Sequence, residues 1–263
     1  MGLSESALRF LFVARPRLDQ TLTIGRQEVS APRRQIEALF SAHHLDAPPT
    51  PDGFAEPLLH AMGARSVDSL DASPFEGATI THDLNRPLGE PDRRFTAVID
   101  GGTLEHVFNV PVAMRNCMEL VEPGGDLVMM VPANNEIGHG LYQFCPELFY
   151  RALERDFEIA HMLLLERGPR PRWYRIADAR SGTGHRIRVR TRWSTYLIVQ
   201  ARRRTEEAIA DLTLYQSDYE AAWSGMDPTP RSLQVKLGDR LARLAPALLQ
   251  GRIGSPAIRR VKF

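Results

Sequence analysis

The stretch that decides the fold is Phe95-Thr-Ala-Val-Ile-Asp-Gly-Gly-Thr-Leu-Glu-His106. Its first five residues are apolar or β-branched, which predicts a buried parallel strand. The strand ends at Asp100 and Gly101, and open α/β sheets bind ligands just beyond the carboxyl ends of their strands. Glu105 and the histidine after it add a carboxylate and a proton acceptor at the same place. The alternative interpretation is a strand followed by an ordinary polar turn.

Strands and helices are predicted to alternate on both sides of this stretch. The other predicted strands cover residues 21–25, 67–73, 78–83, 126–131, 158–165 and 195–201. The predicted helices cover residues 32–43, 54–62, 110–121 and 146–155. Alternation at this spacing predicts a parallel sheet covered by helices on both faces.

Three of the predicted strands end in an acid, namely Asp71, Asp83 and Asp100. Parallel strands bring their carboxyl ends to one edge of the sheet, so the three carboxylates are expected to line one crevice. A carboxylate at such a place can accept hydrogen bonds from both hydroxyls of a ribose. The alternative is that each acid caps the turn or helix that follows it.

Three segments together resemble the small-molecule class I methyltransferases, which use S-adenosylmethionine (SAM). They are Asp100-x-x-x-Leu-Glu-His106, Val121-Glu-Pro-Gly-Gly-Asp-Leu-Val-Met-Met-Val-Pro132, and Cys145-Pro-Glu-Leu-Phe149 with Asp156-Phe157 after it. The resemblance implies an α/β fold with a doubly wound, mostly parallel seven-stranded sheet. It also implies SAM as cofactor and methylation of a small-molecule or glycan-linked acceptor.

The resemblance also implies roles for residues in the crevice. Asp71 would bind the ribose of SAM, Asp83 would lie near the adenine, and Asp100 and Gly101 would lie near the methionine part. The chain departs from the family after the first strand, where Ile24-Gly-Arg-Gln-Glu28 replaces an acid-x-Gly-x-Gly-x-Gly motif.

Gly25 is the glycine retained at this departure, and Arg26 is expected to pair with the carboxylate of the methionine tail. A second hypothesis is that the loop from Asp52 to Glu56 supplies ligand contacts instead. The missing glycines also favour an alternative function, in which the chain is a non-catalytic partner or scaffold protein of the same fold. A nicotinamide-dependent oxidoreductase is a weaker alternative, because that fold needs the same glycines.

His106 and His139 are the candidate catalytic residues, each as the acceptor of a proton from the methylated atom. His139 lies in a polar, glycine-flanked segment after the predicted fifth strand, as a binding loop requires. Asn134 and Tyr142 of that segment are candidates for substrate binding, together with Glu105. No His, Cys or Asp cluster has a recognised metal-ligand spacing, so no metal is expected. Both cysteines, at positions 117 and 145, are interpreted as core thiols.

Two segments near the end of the chain are strongly basic. Residues 167–192 hold nine arginines and one acid, which suits an anionic substrate, a nucleic acid or a solvated hairpin. Residues 225–263 have a net charge of +6 within a chain of net charge +1. Within them, residues 231–250 are predicted to form an amphipathic basic helix that docks on the body, on a protein partner or on a membrane surface. Residues 251–263 are interpreted as a frayed basic tail.

The domain prediction follows from these patterns. Residues 1–204 are expected to form the methyltransferase-like α/β domain, and residues 205–263 a helical basic C-terminal extension. No 18-residue apolar run and no secretory signal is found in the sequence, so the expected location is cytoplasmic.

Overall fold

The computed structural model describes residues 2–180, 189–209, 211–225 and 258–262. In chain order these form β1 (Gly2–Leu3), α1 (Glu5–Ala14), β2 (Gln20–Ile24), β3 (Glu28–Val29), α2 (Arg33–Ala42), α3 (Glu56–Ala61), β4 (Ser66–Asp71), β5 (Ile80–Thr81), β6 (Phe95–Asp100), a 3₁₀ turn (Leu104–His106), α4 (Val110–Glu119), β7 (Val121–Pro132), α5 (Pro146–Leu153), β8 (Phe157–Glu166), β9 (Arg172–Ile176), β10 (Thr195–Arg203), α6 (Ser217–Trp223) and β11 (Ile258–Val261). The fold is therefore α/β, as expected. None of the helices described here combines the length and the apolar character needed to cross a bilayer.

Nine of the described strands form one mixed sheet in the order β11-β9-β8-β10-β7-β6-β2-β4-β5. The pairings from β5 to β7 are all parallel. The pairings from β7 to β11 are all antiparallel. The expected seven-stranded, mostly parallel sheet is thus corrected to nine strands with a parallel half and an antiparallel half.

The two additional strands, β9 and β11, lie at the antiparallel edge. β9 has the sequence Arg-Trp-Tyr-Arg-Ile and falls within the connection that was expected between β8 and β10. β11 pairs with β9 from Ile258 to Val261, where a frayed tail was expected. Both segments are rich in arginine, so their hydrophobic pattern is weak in the sequence. The helix expected over residues 231–250 and residues 181–188 of the arginine-rich segment lie outside the described residues.

Helices cover both faces of the sheet, so the doubly wound arrangement is confirmed. Alternate residues of β6 point to opposite faces, with Val98 in one hydrophobic core and Ala97 and Ile99 in the other. α4 and α5 cover the face of Val98. α1, α2 and α3 cover the opposite face.

The helix α1 was missed in the sequence, although its signals are present. Leu8, Leu11 and Phe12 follow the helical spacing i, i+3, i+4 and are buried. Ser4 caps the helix, since its hydroxyl accepts a hydrogen bond from the backbone N–H of Ala7 at 3.3 Å. β1, just before the cap, pairs in parallel with β3 and fixes the start of the described chain beside the end of β2.

The chain order reverses between β2 and β6. From β2 the chain proceeds to β4 and β5 on one side, and it returns to β6 and β7 on the other side. Such a reversal leaves a crevice at the carboxyl ends of the two central strands, which is where open α/β sheets bind ligands.

Candidate functional site

Gly25 begins the crevice at the end of β2. Its φ is +72°, a backbone conformation that favours glycine, and its N–H donates to the Leu70 carbonyl at 2.7 Å. A Cβ at this position would lie 2.9 Å from Thr103 Oγ1 and 3.9 Å from Asp71 Oδ2. The predicted residues Gly25 and Asp71 therefore lie close together, and the glycine keeps the space between the strand ends open.

Asp71 is half-buried at the end of β4. Its Oδ1 accepts a hydrogen bond from the N–H of Ser73 at 3.3 Å, within its own turn. The structure gives Oδ2 no hydrogen bond within the described part of the chain. Asp71 thus has an acceptor oxygen near the crevice that the protein itself leaves open.

Asp100 is fully buried at the end of β6. Its Oδ1 accepts hydrogen bonds from the backbone N–H groups of Gly102 at 3.1 Å and Thr103 at 2.7 Å. Its Oδ2 has no hydrogen-bond partner among the residues described. Burial raises the pKa of Asp100 to about 6 despite these N–H donors. One oxygen therefore holds the turn, as the capping alternative expected, and the other faces the interior unpaired.

Gln27 was not singled out in the sequence, yet it fills the crevice. Its side chain is 3% exposed, and Nε2 donates to the Ile24 carbonyl at 2.6 Å. A Cβ on Gly101 would lie only 2.1 Å from Gln27 Oε1, so the amide is packed against that glycine. Oε1 is buried without a hydrogen-bond partner among the described residues. Where the family motif has glycines without side chains, this chain therefore has the Gln27 side chain in the crevice.

Arg26 points away from the crevice and is already paired. Its Nε donates to Glu56 Oε1 and its Nη2 to Asp52 Oδ2, each at 2.7 Å. The guanidinium also stacks on the Phe54 ring, 3.9 Å from the centroid. Arg26 and the loop from Asp52 to Glu56 were both candidates for contacts with a ligand. Their charged side chains instead bind each other.

Asp83 lies two residues beyond the end of β5, because that strand is shorter than expected. Its Oδ1 accepts hydrogen bonds from the backbone N–H of Asn85 at 3.0 Å and from its side-chain amide at 2.9 Å. These hydrogen bonds lower the pKa of Asp83. In this structure the side chain caps its own turn.

Glu105, His106 and His139 come together at the carboxyl end of the sheet. Glu105 and His106 belong to the 3₁₀ turn after β6, and His139 lies in the loop after β7. His139 Nε2 is 3.5 Å from Glu105 Oε1, and the rings of His139 and His106 are 5.6 Å apart. Tyr196 of β10 completes the group with its hydroxyl 3.5 Å from His139 Nε2. Both candidate catalytic histidines therefore lie in one cluster.

The backbone holds this cluster together. The N–H groups of Leu141 and Tyr142 donate to the Glu105 carbonyl at 2.6 and 3.3 Å. Gly140 has a φ of +77°, and a Cβ there would lie 2.8 Å from the same carbonyl oxygen. A glycine is required at this position because the loop passes so close to the 3₁₀ turn.

Burial controls the protonation of the cluster. Burial and, to a smaller extent, the nearby charge of Asp100 raise the pKa of Glu105 to about 8. Burial also lowers the pKa of His106, with His139 adding to the effect. At neutral pH the His106 imidazole is therefore neutral and able to accept a proton.

Asn134 and Tyr142 are held by the protein itself. The Asn134 side-chain amide donates to Thr191 Oγ1 at 3.1 Å, and the Tyr142 hydroxyl donates to the Phe108 carbonyl at 2.8 Å. Both residues support the loop that carries His139. The cysteines differ from the expectation too, since Cys117 is buried but Cys145 is exposed just before α5.

A cavity of about 250 Å³ adjoins the cluster. His139, Tyr196, Arg167 and Gly101 line it on the side of the sheet. The start of the described chain covers the other side with Gly2, Ser4 and Ala7. The sequence did not predict this cavity because α1 and β1 were not recognised.

No protein-family model matches the chain, and no curated protein matches it. Three of the solved structures to which the chain is similar are described as methyltransferases or as a putative methyltransferase. The N-methyltransferase NodS from Bradyrhizobium japonicum WM9 is 12% identical with a TM-score of 0.43, covering 76% of this chain and 94% of that chain. A putative methyltransferase (BH2331) from Bacillus halodurans C-125 is 11% identical with a TM-score of 0.44, covering 76% and 99%.

A third similar structure is the 1,6-didemethyltoxoflavin-N1-methyltransferase of Burkholderia thailandensis, solved with 1,6-didemethyltoxoflavin and S-adenosylhomocysteine. It is 14% identical with a TM-score of 0.40, covering 76% of this chain and 77% of that chain. At such identities and TM-scores, these similarities assign no activity to the chain.

Proposed function

We propose that this chain is a SAM-dependent methyltransferase that acts on a small molecule. The observation that carries the proposal is the meeting of Gly25, Asp71 and Asp100 at the point where the strand order reverses. This is the place in an open α/β sheet where a nucleotide-like ligand is bound.

Three residues of the crevice suit SAM in their present positions, and a fourth, Gln27, has to move. The open oxygen of Asp71 suits the ribose hydroxyls, and Gly25 leaves room for a ligand between the strand ends. The unpaired Oδ2 of Asp100 supplies negative charge beside Gly101. Gln27 has to turn out of the crevice before the methionine part can enter. Its unpaired Oε1 makes that displacement cheaper, because a buried amide oxygen without a donor is unfavourable.

When bound, SAM supplies an electrophilic methyl group, and the protein has to orient the acceptor and remove a proton. The cavity beside Gly101 and His139 is the proposed acceptor site. His106, neutral because burial lowers its pKa, and His139 are the proposed proton acceptors. A cavity of about 250 Å³ favours a small free molecule over a glycan-linked one. Arg167 also lies in its wall but pairs with Glu136, so it gives no separate support for a negative group on the acceptor.

Calorimetry of the full chain with SAM and with S-adenosylhomocysteine tests the proposal. We expect both to bind, and Asp71→Ala to weaken each about 10- to 100-fold because the ribose hydroxyls lose their acceptor. The matched control is Asp46→Asn, which changes an exposed acid of the loop after α2 and is expected to leave binding unchanged. Equal binding by wild type and Asp71→Ala would contradict the placement of the ribose.

Binding of neither compound would instead support the second candidate, a non-catalytic protein of this fold. Gln27 in the crevice is the observation that favours this candidate. A nucleic-acid-binding role gains no support from three described arginines of the segment 167–192, because they pair with carboxylates. These are Arg167 with Glu136, Arg172 with Glu166, and Arg180 with Glu154 and Glu220.

A further inference from the structure

Glu105, His106 and His139 have the arrangement of ligands around one ion. One donor atom from each side chain lies within 4.8 Å of the other two. Glu105 Oε1 and His139 Nε2 are already 3.5 Å apart. Two ligand atoms bound tetrahedrally to zinc at 2.0–2.2 Å lie about 3.4 Å from each other. Glu105 Oε1 and His139 Nε2 are therefore at the required separation. Small side-chain rotations bring a nitrogen of His106 to the same separation from both.

The burial of Glu105 is a second, independent observation that indicates a ligand. Its side chain has no exposed surface. Within the described residues, neither of its carboxylate oxygens has a hydrogen-bond partner. The charged form of a buried carboxyl group without donors is costly, and a cation or a metal ion is the usual partner that stabilises it.

We propose that Glu105, His106 and His139 bind one divalent transition-metal ion, with Zn²⁺ as the representative. Two imidazoles and one carboxylate form the donor set of catalytic zinc sites and of non-haem iron sites. Mg²⁺ and Ca²⁺ prefer ligands that are all oxygen, so this set does not suit them. The sequence did not indicate the site because α4 and β7 separate Glu105 and His106 from His139 along the chain.

Three protein ligands leave a further coordination position on the ion. His139 lies in the wall of the 250 Å³ cavity, and so does Tyr196, whose hydroxyl is 3.5 Å from His139 Nε2. The further position is thus available to a ligand in the cavity. If the proposed function is correct, the acceptor is a small molecule with a hydroxyl or carboxylate oxygen that binds the ion. An imidazole nitrogen that holds the ion cannot also accept a proton, so His106 and His139 are the proposed proton acceptors only in the metal-free site. The consequence for the acceptor rests on the proposed function, whereas metal binding itself does not.

The test uses the full chain without an affinity tag, freed of metal with a chelator and titrated with Zn²⁺ by calorimetry. We expect one equivalent to bind with a micromolar or lower Kd. His106→Ala, His139→Ala and Glu105→Gln should each raise that Kd at least about 100-fold, since loss of a ligand costs more than loss of a residue that supports one. Co²⁺ in place of Zn²⁺ should give visible absorption that the same variants abolish.

His44→Asn is the matched control. His44 is an exposed histidine with a φ of 59° just after α2, and asparagine tolerates that conformation. We expect it to bind Zn²⁺ like the wild type. Circular dichroism and the Tm of each metal-free variant establish that it is folded, and Glu105→Gln keeps the shape of the side chain if an alanine variant does not fold.

Failure of the wild type to bind Zn²⁺ or Co²⁺, or equal binding by folded variants of the cluster, would overturn the metal site. The titrations contain neither SAM nor an acceptor. The SAM calorimetry described above therefore succeeds or fails independently, and the two proposals are distinguished.

Discussion

Gln27 is the residue on which the two candidate functions differ. Its amide fills the crevice at Gly101, held by a short hydrogen bond of 2.6 Å to the Ile24 carbonyl and a long one of 3.4 Å to the Gly25 carbonyl. If the chain binds SAM, the side chain acts as a competitor that the ligand must displace. Gln27→Ala removes this competitor and should tighten SAM binding by about tenfold, since one hydrogen bond contributes about 1 kcal/mol.

Calorimetry of Gln27→Ala beside Gln35→Ala measures this effect. Gln35 is an exposed glutamine of α2, so its variant should bind SAM like the wild type. Weaker binding by Gln27→Ala would show that the amide contacts the ligand rather than blocking it. No binding by any of the three proteins would favour the non-catalytic candidate.

Asp100 gives the free energy of unfolding a dependence on pH. Its pKa is about 6 in the folded chain, above its ordinary value of 3.8. Below pH 3.8 both states are protonated, so the residue has no effect. Between pH 3.8 and 6 the folded state binds more protons, so stability falls as the pH rises. The total loss is about 3 kcal/mol and persists at higher pH.

Asp100→Asn should remove this loss. Unfolding in urea at several pH values from 4 to 7 measures it, as the difference in free energy between variant and wild type. We expect that difference to rise by about 2.4 kcal/mol in favour of the variant across this range, because part of the loss has already occurred at pH 4. The exposed control Asp46→Asn should follow the wild type. A parallel profile for Asp100→Asn would mean that the carboxyl keeps its ordinary ionisation in the folded chain.

At the scale of elements, strongly apolar segments were predictable and arginine-rich ones were not. β6 is buried at all six positions and was predicted almost to the residue. β9 and β11 mix arginine with apolar residues without a regular alternation, and they pair with each other although they are distant in the chain. Asp71 and Asp100 end their strands as predicted, whereas Asp83 lies two residues beyond β5. Only the structure distinguishes Asp71, which has an open oxygen, from Asp83, which caps its own turn.

The loop after β7 had to be seen in three dimensions for the same reason. Its polar residues indicated a binding loop, yet Asn134 and Tyr142 bond to the protein itself. Of the three candidate side chains in this loop, only that of His139 contacts the Glu105 side chain. The backbone contact of Gly140 with the 3₁₀ turn holds His139 in that place. No pattern in the sequence predicts this contact.

Two glycines of this loop provide a matched pair of variants. Gly138 and Gly140 have φ values of +86° and +77°. A Cβ on Gly138 would meet no atom of the described residues within 4 Å, whereas one on Gly140 would lie 2.8 Å from the Glu105 carbonyl oxygen. Gly138→Ala should cost only the left-handed backbone strain, about 1–2 kcal/mol. Gly140→Ala should cost about 1–3 kcal/mol more, because the loop has to move away from the 3₁₀ turn.

Urea unfolding of both variants measures the difference. Equal losses of stability would show that the loop does not rest on the 3₁₀ turn. The same displacement moves His139 away from Glu105, so Gly140→Ala should also weaken Zn²⁺ binding, and Gly138→Ala should not.

At the scale of the whole molecule, β11 joins the end of the chain to the main sheet. The division into residues 1–204 and 205–263 remains a prediction, as does the docking of a helix over residues 231–250. The described part of this extension nevertheless contacts the body at several places, two of which involve Ile258 and Ser217. Ile258 of β11 is buried in a hydrophobic core, and the N–H of Ser217 donates to Glu147 of α5 at 2.9 Å.

This placement predicts that the basic end of the chain stabilises the fold. Ile258 is 9% exposed and pairs with Ile176 of β9, whereas Arg259 beside it is exposed. Ile258→Ala should therefore cost about 2 kcal/mol and lower the Tm by roughly 4–8 °C. Arg259→Ala removes a charge from the same strand without emptying the core, and its Tm should stay close to that of the wild type. Thermal unfolding followed by circular dichroism measures both. If Ile258→Ala leaves the Tm unchanged, the strand is not part of the stable body, and its basic residues are then free to bind a partner or an anionic membrane surface instead.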